Sequence, residues 1–176
     1  MPFNTTDIVC GVKCAIEWAG TKEAKKHVKK AKNVENRAAK AKLRRQKVAW
    51  WHDEKNTGST AYECHKYIRA RDAHLPCISC GKDEAMLWVA SHFRSRGAAS
   101  HLRYTVQNIN KACSECNSHL SGNIGPYRIG LVAKYGEDEV LALEHNNEIK
   151  RWTVEECETL RNKFRQMTKE LEAKGV

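Results

Sequence analysis

Cys77-Ile-Ser-Cys80 and Cys113-Ser-Glu-Cys116 are the residues of this sequence whose types and spacing speak most directly of chemistry. Each C-x-x-C pair sets two thiolates along one edge of a tetrahedron. Two such pairs complete the closed four-sulfur shell that structural zinc takes. The 32 residues between the pairs exceed what a minimal zinc ribbon needs, so the spacer must enclose something. The bland alternative is two unrelated pairs of buried thiols. A closed shell has no open coordination position, so this Zn²⁺ supports structure and performs no reaction. Cys10 and Cys14 make a lone C-x-x-x-C, half of a site with no second pair available, and Cys64 and Cys157 read as buried helix residues.

Between and just beyond the knuckles lie Ser91-His92-Phe93, then Asn108-Ile109, then Asn117-Ser118-His119. The order His, Asn, then Asn or His is that of HNH, or ββα-metal, nucleases. The parts follow from the chemistry. A strand His takes a proton from water. A divalent ion stabilises charge on the scissile phosphate. The middle Asn pins the loop so that the His points correctly. His92, Asn108, Asn117 and His119 are therefore the candidate catalytic residues, although His119 also suits a helix cap or a contact to DNA. Arg94, Arg96 and Arg103 flank this region and suit phosphate clamping; the plain alternative is ordinary surface arginine.

These residues must be positioned by secondary structure. MLWVASHF and LRYTV, within residues 86–106, carry strand-like residues around the SRGAAS loop, which predicts a hairpin. Thr60-x-x-Glu63 predicts a capping box opening a helix that runs to just before Pro76, with Ala61, Tyr62, Cys64 and Ile68 on its buried side. Short helices are expected from about Cys113 or Glu115 to Gly122, from Pro126 to Gly136, and over 137–147. Thr153-x-x-Glu156 predicts a second capping box and a terminal amphipathic helix with Val154, Cys157, Leu160, Phe164, Met167 and Leu171 on one face.

The chain has 176 residues, a mean hydropathy of −0.68 and a formal net charge of +10. Residues 22–47 hold twelve basic and two acidic side chains, which is the whole net charge; the rest is neutral. That stretch is rich in Ala and Lys and lacks Gly and Pro, so residues 21–50 read as one long helix with a thin apolar stripe. The bland readings are a solvated helix or a weak coiled coil. The functional reading lays Lys25, Lys26, Lys29, Lys30, Arg37, Lys40, Arg44 and Arg45 on nucleic-acid phosphates, binding without sequence specificity. Trp50 and Trp51 then anchor the helix end. No run of 18 apolar residues and no signal peptide are evident, so no membrane association and a cytoplasmic location are expected. Eight cysteines in a reducing compartment favour metal ligands or buried thiols over disulfides.

The run LPCISCG, W-x-A-x-H-F-R, LRY, N-I-x-K-x-C-x-x-C-N-x-H-x-S-G-N, P-Y-R and RWTVEEC, from Tyr62 to Arg165, resembles the NinG family of lambdoid phages, also called Rap. The resemblance implies a recombination endonuclease acting on branched DNA (Holliday junctions, D-loops, flaps) in the bacterial host cell. It is similar in mechanism to phage recombination endonucleases of the endonuclease VII type, which set a catalytic His between two zinc knuckles. By that similarity His92 is the general base and Asn117 a ligand of a catalytic Mg²⁺ or Mn²⁺. Ser91 stands where that type has an ion-binding Asp, and His119, Asp83, Glu84 and Glu115 are the candidates to replace it. Homodimerisation, and association with phage or host recombination proteins, are further partner relations the resemblance allows.

The expected fold class is α+β, mostly helical: an HNH-like ββα-metal core with a Cys₄ zinc site, a long basic N-terminal helix and a C-terminal amphipathic helix. The expected segments are 1–20 with a partial Cys pair, a basic arm over 21–58, the nuclease core over 59–125 and a helical region over 126–176. The competing reading is a non-catalytic zinc-ribbon DNA-binding protein, a recombination accessory or regulatory factor. The knuckles and the basic helix fit both; the His/Asn pattern favours the enzyme.

Overall fold

The computed structural model describes residues 11–175, so Cys10 lies outside the described residues. The chain divides into two compact units, the first ending at Gln46 and the second beginning at Lys47. Helix α1 spans Val12–Gly20 and α2 spans Lys22–His52, close to the long helix the composition predicts. Thr21 caps α2: its hydroxyl accepts from the Ala24 amide at 3.1 Å. Ala24 is buried, whereas Val28 and Val34 are exposed, so the thin stripe of α2 is solvated over most of its length.

The second unit is built on helix α3 (Thr60–Arg71), strands β1 (Trp88–His92) and β2 (Ile109–Cys113), and helices α4 (Ile124–Tyr135), α5 (Glu137–His145) and α6 (Val154–Ala173). It is a mostly helical α+β arrangement with one two-stranded antiparallel sheet, in which Trp88 faces Cys113 and His92 faces Ile109. Ala61, Cys64, Tyr67 and Ile68 of α3 pack on Phe164 of α6, on Ala90 and Ile109 of the sheet, and on Tyr104, forming the largest core cluster. Phe164 of α6 thus shares this interior with α3 and the sheet. Thr153 and Glu156 complete the predicted capping box at the start of α6.

Three expectations are corrected. The N-cap of α3 is Ser59, which accepts from the Tyr62 amide at 3.0 Å. Thr60 instead donates to the Cys157 carbonyl at 2.7 Å, and Glu63 pairs with Arg165 at 2.8 Å, so both predicted capping partners serve the contact with α6. The partner of β1 is Ile109–Cys113, not the LRYTV run. Leu102, ending a short 3₁₀ helix, and Tyr104, in the turn that follows, are buried and supply core without pairing. Finally, α3 ends at Arg71, because the next residue, Asp72, is buried as the acceptor of Arg71, Lys134 and the Lys111 amide.

Candidate functional site

The first knuckle turns at Gly81, whose φ of +70° suits glycine; its amide donates to the Cys77 carbonyl at 2.9 Å. The second knuckle starts at the end of β2 and runs into a short helical turn, Glu115–His119. Together they bring the sulfurs of Cys77, Cys80, Cys113 and Cys116 within 4.8 Å of one another. Cys77 Sγ lies 3.7 Å and Cys80 Sγ 3.8 Å from Cys113 Sγ. Tetrahedral ligands at a zinc–sulfur bond length of about 2.3 Å stand about 3.8 Å apart, so the spacing matches a metal such as zinc. Burial opposes ionisation of Cys77, but the backbone amides of Cys80, Cys113 and Ser79 outweigh it and hold the thiol down at about 7. Asn123 adds a side-chain donor to Cys116 Sγ at 3.6 Å.

Helix α4 rests directly on this knuckle. A Cβ at Gly130 would lie 2.1 Å from the Ile78 carbonyl oxygen, so only glycine permits the approach.

A cavity of about 600 Å³ adjoins the sheet and is lined by His92, Ser91, Asn117, Arg96, His65 and Glu54 among others. His92 ends β1, and its Nε2 lies 3.0 Å from the Arg103 carbonyl. Nε2 is therefore the N–H donor, and Nδ1 keeps the lone pair. Burial pulls the ring down to about 4, so it is neutral at physiological pH. Asn108 is wholly buried in the loop between the strands. Its Oδ1 accepts from the Arg94 amide at 2.9 Å, and its Nδ2 donates to the carbonyls of Arg94 (3.1 Å) and Leu102 (3.2 Å). It ties both sides of the loop together. Ser91 Oγ is buried without a hydrogen-bond partner among the described residues, as is Arg103 Nε.

The remaining expected residues fall in several places. Asn117 shares the cavity with His92. His119 is exposed and does not line it. Neither do Asp83, Glu84 or Glu115, the last of which pairs with Lys82 at 3.1 Å. Arg94 is occupied by the fold: its guanidinium donates to the carbonyls of Leu143, Glu144 and Asn146 at the end of α5, and to Asn147. These contacts hold the Arg94 guanidinium against the end of α5. Arg96 is exposed at the cavity, while Arg103 is half-buried. Lys25, Lys26, Lys29, Lys30, Arg37, Lys40, Arg44 and Arg45 are all exposed on α2.

Two cavity residues carried no sequence signal. His65 is buried on α3, and its Nδ1 lies 2.6 Å from Glu54 Oε2. The His65 hydrogen bond holds the Glu54 carboxyl down at about 2, against a smaller opposing effect of burial. The rings of His65 and His92 have centroids 5.6 Å apart.

The four-sulfur cluster and the small sheet define a mostly helical α+β protein with a pair of knuckles whose cysteines could hold a metal. The chain belongs to the NinG family: the family described as "Bacteriophage Lambda NinG protein" matches residues 1–174. It is 46% identical over 105 residues to the protein ninG of Escherichia phage 933W, covering 60% of this chain and 52% of that one. Over the same length and shares it is 44% identical to the protein ninG of Escherichia phage lambda and 43% to that of Salmonella phage P22. The chain thus spans about half the length of the curated relatives it matches. No solved structure matches it. No helix among the described residues is long and apolar enough to cross a membrane.

Proposed function

We propose that this chain is a phage recombination endonuclease of the HNH, or ββα-metal, type that hydrolyses phosphodiester bonds in branched DNA. The observation that carries the reading is the setting of His92. One ring nitrogen is tied to the Arg103 carbonyl, and the neutral ring lines an open cavity beside the four-sulfur cluster. Such a ring can take a proton from an attacking water. Asn108 fixes the loop that supplies that carbonyl, and so positions the base without touching substrate. Asn117 lines the cavity and the buried Ser91 hydroxyl lies unpartnered next to His92; both are neutral oxygen donors of the kind a hard divalent cation takes. Mg²⁺ or Mn²⁺ held there would supply charge stabilisation at the phosphate. Zn²⁺ in the cysteine cluster keeps the intervening segment folded. Arg96 at the cavity and the exposed basic face of α2 supply cations for the DNA backbone.

Ser91, where a carboxylate was expected, favours the second reading, a non-catalytic zinc-ribbon DNA-binding accessory factor. Incubation of zinc-loaded protein with junction and linear duplexes of equal length, with and without Mn²⁺ or Mg²⁺, separates the two. The proposal expects metal-dependent cutting of the junction in preference to the duplex. Tight junction binding with no cutting in either metal selects the accessory factor.

A further inference from the structure

We infer that Glu54 and His65 form an acid dyad in this cavity, with His65 donating a proton to the sugar oxygen that leaves phosphorus; the inference rests on the nuclease reading above. The two imidazoles of the cavity are near enough to serve one phosphodiester, with centroids 5.6 Å apart, yet they are held differently. His92 is tied to a neutral backbone carbonyl at 3.0 Å. His65 is tied through Nδ1 to the Glu54 carboxylate at 2.6 Å. A carboxylate steadies positive charge on the ring it holds, whereas a carbonyl does so far less. Two like groups in unlike surroundings divide the roles of acid and base. His92 is the ring suited to receive a proton, and His65 the ring suited to give one.

The rest of the cavity explains the need. The position expected to hold a carboxylate is Ser91, and of the acidic residues considered earlier, Asp83, Glu84 and Glu115, none reaches the cavity. Glu54 is the acidic residue that lines the cavity, and it is held by His65, so a divalent cation there has few free anionic partners and less charge stabilisation is available at the leaving oxygen. Protonation of that oxygen fills the gap. In the step a water oxygen bonds to phosphorus as the phosphorus–sugar oxygen bond breaks. The water proton passes to Nδ1 of His92, and the proton on Nε2 of His65 passes to the departing oxygen. One water is consumed, and solvent restores the two rings. Glu54, a positioning residue, never touches the substrate.

The alternative is that the pair only fastens α3 to the segment after α2. Zinc-loaded full-length protein, with Mn²⁺, is assayed on branched DNA whose scissile linkage carries either the normal oxygen or a bridging sulfur at the leaving position. A thiolate leaves without a proton. His65→Gln is expected to cut the oxygen linkage about a hundredfold slower than wild type, and the sulfur linkage at close to the wild-type rate. His92→Ala is expected to be slow on both. Glu54→Gln, at a half-exposed carboxylate, repeats the His65 pattern in weaker form and carries the test if His65→Gln does not fold. Equal losses on both linkages overturn the dyad and leave the nuclease standing. A wild-type protein that cuts neither linkage overturns the nuclease reading and the dyad with it.

Discussion

Substituting Gly130 by alanine tests the packing that ties α4 to the cysteine cluster. In an exposed helix the change would stabilise by up to about 1 kcal/mol, because alanine is the better helix former. Here the new Cβ would sit 2.1 Å from the Ile78 carbonyl oxygen, 3.1 Å from Ile78 Cδ1 and 3.2 Å from the Ile78 carbonyl carbon. The closest atom is backbone and cannot swing away, so α4 or the knuckle must move by roughly an ångström. Overpacking of this kind costs about 1–3 kcal/mol, which exceeds the propensity gain. Ile78 lies between two of the four cysteines, so displacement of its carbonyl also spreads the sulfurs. Gly125, in the first turn of the same helix, has nothing within 4 Å of a new Cβ and serves as the control. Denaturant melts of zinc-loaded protein should place Gly130→Ala about 1–2 kcal/mol below wild type, with weaker zinc retention against a chelator. Gly125→Ala should be unchanged or slightly stabilised. If Gly130→Ala matched Gly125→Ala in stability and in zinc retention, the direct contact between α4 and the knuckle would be refuted.

Removal of the metal, by chelator or by Cys113→Ser, should abolish the cooperative melt of the second unit, since Cys113 both ends β2 and stands 3.7 and 3.8 Å from two other sulfurs; retention of native near-ultraviolet dichroism would contradict this. His92 titrates at about 4 in the fold against an ordinary 6.5. The unfolded chain therefore binds the proton first, and stability is lost as pH falls from about 6.5 towards 4, on the order of 3 kcal/mol from this ring. His92→Gln should flatten that part of the pH–stability curve. Deleting residues 22–47 removes twelve basic side chains. If about half of them meet phosphates, the slope of log affinity against log salt should fall by about 5; an unchanged slope would remove the arm from DNA binding.

What was legible in the sequence was local. The knuckles, the long basic helix and the capping box of α6 each depend on residue types a few positions apart, and each appears in the structure at or near the expected residues. Strand β2 was not legible because it buries Asn110 and Lys111, which read as loop residues. The Asn110 amide oxygen accepts from Arg71, Lys134 and Tyr135, and the Lys111 ammonium donates to the Ala73 carbonyl and lies over Trp88. Partners distant in the chain make these polar side chains acceptable inside. The LRYTV run is the converse case: its apolar residues pack in irregular turns. Glu54 and His65 are not legible in the sequence because their meaning lies in a fold that places them beside a strand more than twenty residues downstream.

Removal of the His92 ring tests its proposed action on DNA most directly. Wild type and His92→Ala, both zinc-loaded and matched in junction affinity, are to be compared for single-turnover cleavage of a Holliday junction in Mn²⁺. Wild type is expected to cut, and the variant to be at least about a hundredfold slower. Equal cleavage rates for the two proteins would contradict that action.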